Sequence, residues 1–127
     1  MRLAIDVNRY SDFTRDVPGV EETLERADRI YVPFVVLAEL RSGFRAGTQS
    51  AANEAVLTRF LQKPGASVLF PDEQTIHWYS EVYIQLRRAG RPIPTNDIWI
   101  AALVIQHGLI LFSRDKHFDA VPQIPRL

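Results

Sequence analysis

Short apolar runs alternate with longer helical patterns along the chain, and this alternation constrains the fold more than any other feature of the sequence. The short runs have the length of buried strands, and each is followed by an acid, a proline or a polar turn residue. They cover residues 3–5, 30–32, 67–70 and 109–112. We therefore predict a central sheet of four strands.

Longer patterns with helical spacing fill the segments between these strands. The predicted helices cover residues 18–27, 34–45, a segment that begins at residue 50, and residues 72–90 and 95–108. Strands that alternate with helices pair mostly in parallel, because each helix carries the chain back across the sheet. We therefore predict an α/β fold with three layers, α/β/α, built as one domain over residues 1–127.

Composition and charge exclude several classes of protein. The chain has no cysteine, which excludes a disulfide scaffold, a cysteine-based zinc site and a thiol nucleophile, and favours a reducing cytoplasm. Lys and Arg together number 15, as do Asp and Glu, so no net charge draws the protein to nucleic acid or lipid. Asp6 interrupts the first apolar run too early for a signal peptide or a membrane span, so we predict a cytoplasmic protein without a membrane anchor.

Four acids stand where the predicted fold places a ligand site. Asp6 follows the first strand and Asp115 follows the last, so both belong at the carboxyl edge of a parallel sheet, where such folds bind ligands. Asp97 opens a helix whose apolar residues indicate burial on every side. Glu39 lies at the flank of the core-facing arc of its helix, a position that can line a cleft.

Each of these acids also has an ordinary structural explanation. Asp97 complements a helix dipole, which is worth roughly 0.3 to 1 kcal/mol, and Asp6 and Asp115 are of a type common in turns. Four acids at one edge, however, repel each other, since a pair 4 Å apart costs about 4 kcal/mol at an effective dielectric constant near 20. Such a cluster favours a hard divalent cation such as Mg²⁺, which binds carboxylates and the phosphate oxygens of a substrate. The acids therefore predict metal-dependent hydrolysis of a phosphodiester.

Four short blocks carry a resemblance to a known family, and together they span nearly the whole chain. They are Asp6-Val7-Asn8, Val36-Leu37-Ala38-Glu39-Leu40 with Gly43, Asp97-Ile98-Trp99-Ile100-Ala101-Ala102, and Ser113-Arg114-Asp115 with Phe118. In their order and spacing the chain resembles the PIN-domain ribonucleases of the VapC type, the toxin halves of toxin-antitoxin pairs. One position departs from the family's pattern, because Val7 stands where Thr or Ser is usual.

The resemblance implies a PIN-like fold and a set of site residues that bind one or two Mg²⁺ or Mn²⁺ ions. The acids that match the family's metal ligands are Asp6, Glu39, Asp97 and Asp115. Asn8 and Ser113 match polar residues that support these acids. We expect Asp6 and Asp97 to be direct ligands. Asp115 and Glu39 then complete the shell or hold water, with Glu39 as a candidate base.

The resemblance also implies an activity and partners. The activity is that of a Mg²⁺-dependent endoribonuclease toxin, in which metal-assisted attack of water on phosphorus cleaves RNA without a covalent enzyme intermediate. The partners are RNA, a cognate VapB-like antitoxin and a second copy of the toxin. An apolar groove between amphipathic helices within residues 13–44 is a candidate surface for a helix of another chain, with core packing as the alternative.

Basic residues near the acids are candidates for holding the RNA backbone, because a neutral protein with an acidic centre needs nearby positive charge to bind a polyanion. They are Arg9, Arg87, Arg88, Arg91, Arg114 and Lys116. Each taken alone also fits ordinary solvated surface charge. The histidines, at positions 77, 107 and 117, lack the spacing of a helical metal site, and we interpret them as structural. His117 is the one that merits a test, because it follows Asp115 by two residues.

Two other functions fit parts of the sequence. A catalytically silent PIN module would bind RNA or protein without cleavage, although its idle cleft would have no reason to tolerate four mutually repelling acids. A phosphatase of the haloacid-dehalogenase type also has an acid directly after its first strand, but Asn8 stands where its second acid belongs. The chain also lacks a well-placed lysine, since Lys63 and Lys116 are the two that it has.

Overall fold

A computed structural model describes all 127 residues of the protein. Its centre is a sheet of four parallel strands in the order β3-β2-β1-β4. The strands are β1 (Arg2–Ile5), β2 (Arg29–Pro33), β3 (Ala66–Leu69) and β4 (Ile110–Phe112). In the centre of the sheet, Leu3 of β1 lies beside Ile30 of β2 and Ile110 of β4. The structure confirms the four predicted strands and their parallel pairing.

Six α-helices and one 3₁₀ turn complete the fold. They are α1 (Val7–Thr14), α2 (Val20–Glu25), α3 (Phe34–Ala46), α4 (Ser50–Gln62), α5 (Glu73–Ala89), α6 (Thr95–His107) and the 3₁₀ turn Lys116–Ala120. The helices α2 to α6 correspond to the five predicted ones. Helix α1 was not predicted, because it is only two turns long and its N-cap, Asp6, has the residue type of an ordinary turn.

Helices cover both faces of the sheet. From β1 through β2 to β3 the chain moves in one direction across the sheet, and it then returns to form β4 on the other side of β1. Because crossovers between parallel strands are right-handed, this reversal places α1 to α4 on one face and α5 and α6 on the other. Aromatic contacts join the helices of each layer: Tyr10 lies 5.3 Å from Phe60, and Tyr79 lies 4.3 Å from Trp99, between ring centroids. The predicted α/β/α architecture is confirmed.

The core holds the elements that carry the acids. Helix α6 is buried along most of its length, with Ile100 and Leu103 almost inaccessible to solvent, as its apolar sequence predicts. In β1, residues 3–5 have no exposed surface. Asp97, in the first turn of α6, and Asp6, directly after β1, therefore stand on rigid supports.

The strand order reverses at β1, since β2 lies on one side of it and β4 on the other. A reversal of this kind leaves a crevice at the carboxyl ends of the strands, where α/β proteins bind ligands. Beyond β4, the C-terminal residues extend alongside that strand, and the amide of Leu127 donates to the carbonyl of Leu111 over 3.0 Å. No helix combines the length and apolar character that a bilayer span requires.

Candidate active site

All four predicted acids line one cleft at the carboxyl edge of the sheet. The lining residues are Asp6, Val7, Asn8, Glu39, Pro94, Thr95, Asn96, Asp97, Asp115 and His117. They come from four separate segments of the chain: the end of β1, helix α3, the start of α6 and the loop after β4. The cleft therefore exists only when the whole domain is folded.

Hydrogen bonds hold Asp6 in a fixed position. As the N-cap of α1, it accepts the Val7 amide at Oδ1 over 2.8 Å, and it accepts the Ser113 hydroxyl at Oδ2 over 2.8 Å. The same Ser113 oxygen accepts the Asp115 amide over 3.1 Å and lies 3.4 Å from the Asn8 side-chain nitrogen. Ser113 and Asn8, both predicted as supporting residues, thus join the end of β1 to the loop that carries Asp115.

The two most buried acids of the cleft have raised pKa values. Burial is the main reason that the pKa of Asp97 rises to about 6, and the negative charges of Asp115 and Asp6 raise it further, against a hydrogen bond with His117. Burial also raises the pKa of Asp6, with smaller contributions from Asp115 and Glu39. The negative charges of the neighbouring acids therefore make ionisation of both carboxyl groups less favourable, as expected for the acidic cluster predicted from the sequence.

Glu39 lines the same cleft from helix α3 and is more exposed than the two buried acids. Its Oε1 accepts a hydrogen bond from the side-chain amide of Asn96 over 2.7 Å. Phe34 and Trp99 also join α3 to α6, with ring centroids 5.8 Å apart. Asn96 was not among the predicted site residues. Its position beside Asp97 in the first turn of α6 was the one signal that the sequence offered.

His117 is the histidine that lies in the cleft, whereas His77 and His107 lie outside it. Its backbone amide donates to Asp115 Oδ1 over 2.9 Å, at the start of the 3₁₀ turn. The ring nitrogen Nδ1 is 2.9 Å from Asp97 Oδ2 and 3.1 Å from Asp115 Oδ1. His117 was interpreted as structural because it lacks the spacing of a helical metal site, and this interpretation missed its contact with two of the acids. That spacing applies to ligands on an α-helix and not to a residue in a 3₁₀ turn.

Two of the predicted RNA-binding residues contact a buried acid instead of the cleft. Arg114 donates to both carboxylate oxygens of Asp12, over 3.0 and 3.1 Å, and Arg9 lies 3.3 Å from the same group. The guanidinium of Arg114 is the main reason that the pKa of Asp12 is lowered. Sequence analysis did not single out Asp12. The other basic candidates, Arg87, Arg88, Arg91 and Lys116, are exposed, and none lines the cleft.

The donor atoms of the cleft suit a divalent cation. One ligand atom each from Asp97, Asp115 and His117 lies within 4.8 Å of the other two, a spacing that a single ion can bridge. The buried Asp6 carboxylate adds a further oxygen from the same cleft. Carboxylate oxygens are the preferred ligands of Mg²⁺ and Mn²⁺ in proteins. The cleft therefore contains an acidic group that can hold a metal ion.

The fold and the cleft define an α/β domain with a parallel sheet and a cluster of acids at the point where the strand order reverses. Comparison with known families identifies the family to which this domain belongs. Residues 5–124 match the family described as PIN domain. The chain therefore belongs to the PIN-domain family, and the resemblance found in its four sequence blocks is confirmed.

Known relatives agree with this assignment. Ribonuclease VapC4 of Mycobacterium tuberculosis is 30% identical to this chain over 113 residues, which cover 84% of this chain and 85% of the relative. The solved structure of VapBC-5, a VapBC-family toxin-antitoxin system from the same species, has a TM-score of 0.76 at 27% identity, covering 99% of this chain and 98% of the other. VapBC2 from Rickettsia felis, bound to a DNA fragment from its promoter, has a TM-score of 0.89 at 21% identity, covering 100% and 98% of the two chains, which shows the same fold.

Proposed function

We propose that this protein is an endoribonuclease that hydrolyses RNA phosphodiester bonds with Mg²⁺ or Mn²⁺ held by Asp6, Glu39, Asp97 and Asp115. The observation that carries this proposal is the convergence of four carboxylates from separate segments in one cleft. No Lys or Arg lines that cleft to offset their charge, so the carboxylates repel one another without a bound cation. The names of the relatives, which are ribonucleases, give the same reaction class.

The positions of the acids suggest a division of roles. Asp6 and Asp97, which are buried, would hold the cation directly. A divalent cation bound there supplies a more acidic water molecule and offsets negative charge on the phosphate. Glu39, which is exposed and accepts a hydrogen bond from Asn96, would hold a water molecule beside the cation and is the candidate base for its proton. Asp115 would complete the ligand set. The Ser113 hydroxyl donates to Asp6 and accepts the Asp115 amide, and it thereby keeps these two residues at a fixed separation.

Incubation of purified protein with total cellular RNA, with Mg²⁺, with Mn²⁺ or with a chelator, tests this function. We expect the protein to produce new RNA ends only when metal is present. Asp97→Asn, which removes the charge of a ligand, should lower the cleavage rate at least about 100-fold. Asp16→Asn, at an exposed acid outside the cleft, is the matched control and retains full activity. RNA bound but never cut would instead indicate a silent module, and hydrolysis of phosphomonoesters alone would indicate a phosphatase.

We further propose that the protein is a toxin of the cytoplasm, held in check by a VapB-like antitoxin and active as a homodimer. The support is that the related solved structures are VapBC complexes, one of them bound to promoter DNA. Expression of the wild type alone should stop bacterial growth, whereas Asp97→Asn should not. Light scattering should give twice the chain mass of 14.5 kDa. Normal growth with active enzyme in the cells would contradict the toxin role.

A further inference from the structure

We propose that His117 is a nitrogen ligand of the ion in this cleft and that it makes the site prefer Mn²⁺ or Co²⁺ to Mg²⁺. The inference rests on the proposed metal-dependent function and adds a residue that sets the identity of the ion. Its basis is the position of the imidazole ring, which lies between the carboxylates of Asp97 and Asp115.

The distances around the ring match those of ligands that share an ion. Two ligand atoms at right angles on an octahedral ion, each about 2.1 Å from it, are about 3.0 Å apart. Nδ1 of His117 is 2.9 Å from Asp97 Oδ2 and 3.1 Å from Asp115 Oδ1. Both distances to the imidazole nitrogen are therefore close to the separation that coordination requires, and the two carboxylate oxygens lie within 4.8 Å of each other, a span that one ion can bridge.

The backbone around His117 holds the ring in this place. Asp115 caps the 3₁₀ turn by accepting the His117 amide, and Phe118, 1% exposed, anchors the turn in the core. The His117 side chain itself is half exposed and lies on the solvent side of the acids. This arrangement fixes the backbone that carries the ring, and it leaves the ring accessible from solvent.

Ligand chemistry then determines which ion is preferred. Apart from the His117 ring, the cleft offers carboxylate, amide and hydroxyl oxygens, the set that suits Mg²⁺. An imidazole nitrogen is a poor partner for Mg²⁺ and binds first-row transition-metal ions more tightly, with Co²⁺ above Mn²⁺ in the order of affinity. The alternative role for His117 is that of a hydrogen-bond donor which only positions the two carboxylates. The two roles differ in whether nitrogen is bonded to the metal.

Pulsed electron paramagnetic resonance of Mn²⁺ bound to the purified full-length protein distinguishes these roles at one fixed pH, because directly bonded ¹⁴N modulates the electron spin echo. The variants are His117→Asn, whose amide can replace a donated hydrogen bond but not an imidazole ligand, and His77→Asn as the control. His77 is exposed and lies outside the cleft. Titrations of each protein with Mn²⁺, Co²⁺ and Mg²⁺ give the affinities.

We expect ¹⁴N modulation in the wild type and in His77→Asn, and none in His117→Asn. The Kd for Mn²⁺ and Co²⁺ should rise at least about tenfold in His117→Asn, with less than about threefold change for Mg²⁺. Mn²⁺ bound without ¹⁴N modulation in the wild type, together with metal-dependent RNA cleavage, would overturn the role of His117 and leave the proposed function intact. A wild type that binds none of the three ions and cuts no RNA in the presence of any of them would overturn both.

Discussion

Asp97 is the residue at which burial and charge repulsion act most strongly. Its pKa rises from 3.8 to about 6 in the metal-free protein. Between pH 3.8 and about 6, the Asp97 carboxyl group is therefore mostly protonated in the folded protein and mostly ionised in the unfolded chain. A difference of about two pKa units corresponds to roughly 3 kcal/mol, which is the upper limit of the cost of the ionised group to folding.

Asp97→Asn should accordingly stabilise the metal-free protein. Above about pH 6 the carboxyl group is ionised in both states and its full cost is present, whereas below about pH 4 it is protonated in both and the cost vanishes. Calorimetry without metal should show the variant about 1 to 3 kcal/mol more stable at pH 7.5, and nearly equal to the wild type at pH 3.5. A variant less stable at pH 7.5 would contradict the clustering of the acids.

Asp12 is the opposite case, an acid stabilised by its partners. Arg114 and Arg9 lower its pKa, so its contribution is present above the unfolded pKa of about 3.9 and is lost as pH falls through the lower folded value. Asp12→Asn should cost about 1 to 3 kcal/mol at pH 7, because it weakens the charged hydrogen bonds from Arg114 and Arg9 to a buried group. Urea unfolding at pH 7 and pH 3 measures the change.

The Asp12→Asn difference from the wild type should shrink on acidification, since acid removes the same charge from the wild type. Asp16→Asn provides the control, because Asp16 is exposed and should change stability by less than about 0.5 kcal/mol. A loss of stability that stays constant from pH 7 to pH 3 would assign the effect to packing rather than to the ion pairs.

At single positions, sequence reasoning found residues whose role follows from where an element ends. Asp6 and Asp115 follow strands, so the edge of the sheet places both without further information. The sequence marked His117 only as a residue to test and did not mark Asp12, because their contacts depend on how a 3₁₀ turn and helix α1 orient side chains across the fold. The RNA-binding roles of the basic residues also depend on how their side chains are oriented across the fold, and these roles stay predictions.

At the scale of elements, a polar network joins α5 to α6 far from the cleft. Asp72 and Thr75 form a capping box at the start of α5, in which the Thr75 hydroxyl accepts the Asp72 amide over 2.9 Å. The same hydroxyl bonds to the side chain of Gln106 in α6, and Thr75 is fully buried. Gln106 lies nine residues after Asp97 in α6, which is about 14 Å along the helix. The network therefore supports the α6 scaffold without touching the acids.

Thr75→Val should separate stability from activity. The substitution keeps the volume of the side chain but leaves the Asp72 amide and Oε1 of Gln106 without their Thr75 partner, so we expect a loss of about 1 to 3 kcal/mol. RNA cleavage at 25 °C should stay within about twofold of the wild type, since no residue of the cleft changes. Thr58→Val, at an exposed position of α4, is the control. A large loss of cleavage in folded Thr75→Val would show that the two ends of α6 are coupled.

Elements with long or strongly apolar patterns were predictable, and short mixed ones were not. Strands β1 and β4 and helix α6 are marked by continuous apolar runs, because most of their residues are buried, whereas the edge strand β3 has no buried residue. Helix α1 has eight residues, and only Tyr10 and Asp12 among them are buried. With so short a pattern, the packing of α1 on the rest of the domain decides that it forms.

At the scale of the whole molecule, the cleft depends on every part of the chain, since its acids come from both termini and from two helices between them. A ligand that binds only the folded cleft must therefore stabilise the entire domain. An ion at 100 times its Kd adds about 2.7 kcal/mol, which is about 10 °C in Tm for a domain of this size. Thermal unfolding with and without Mn²⁺ should show this rise in the wild type and little of it in Asp97→Asn. An equal rise in both proteins would place the ion elsewhere.

We expect that folding brings Asp6, Glu39, Asp97 and Asp115 around a divalent cation. A crystal structure with Mn²⁺, with the anomalous signal measured near the manganese absorption edge, tests it most directly. We predict one or two anomalous peaks within about 2.5 Å of carboxylate oxygens of Asp6 and Asp97. An ordered cleft without a peak at saturating Mn²⁺, or a peak away from these acids, would contradict the claim.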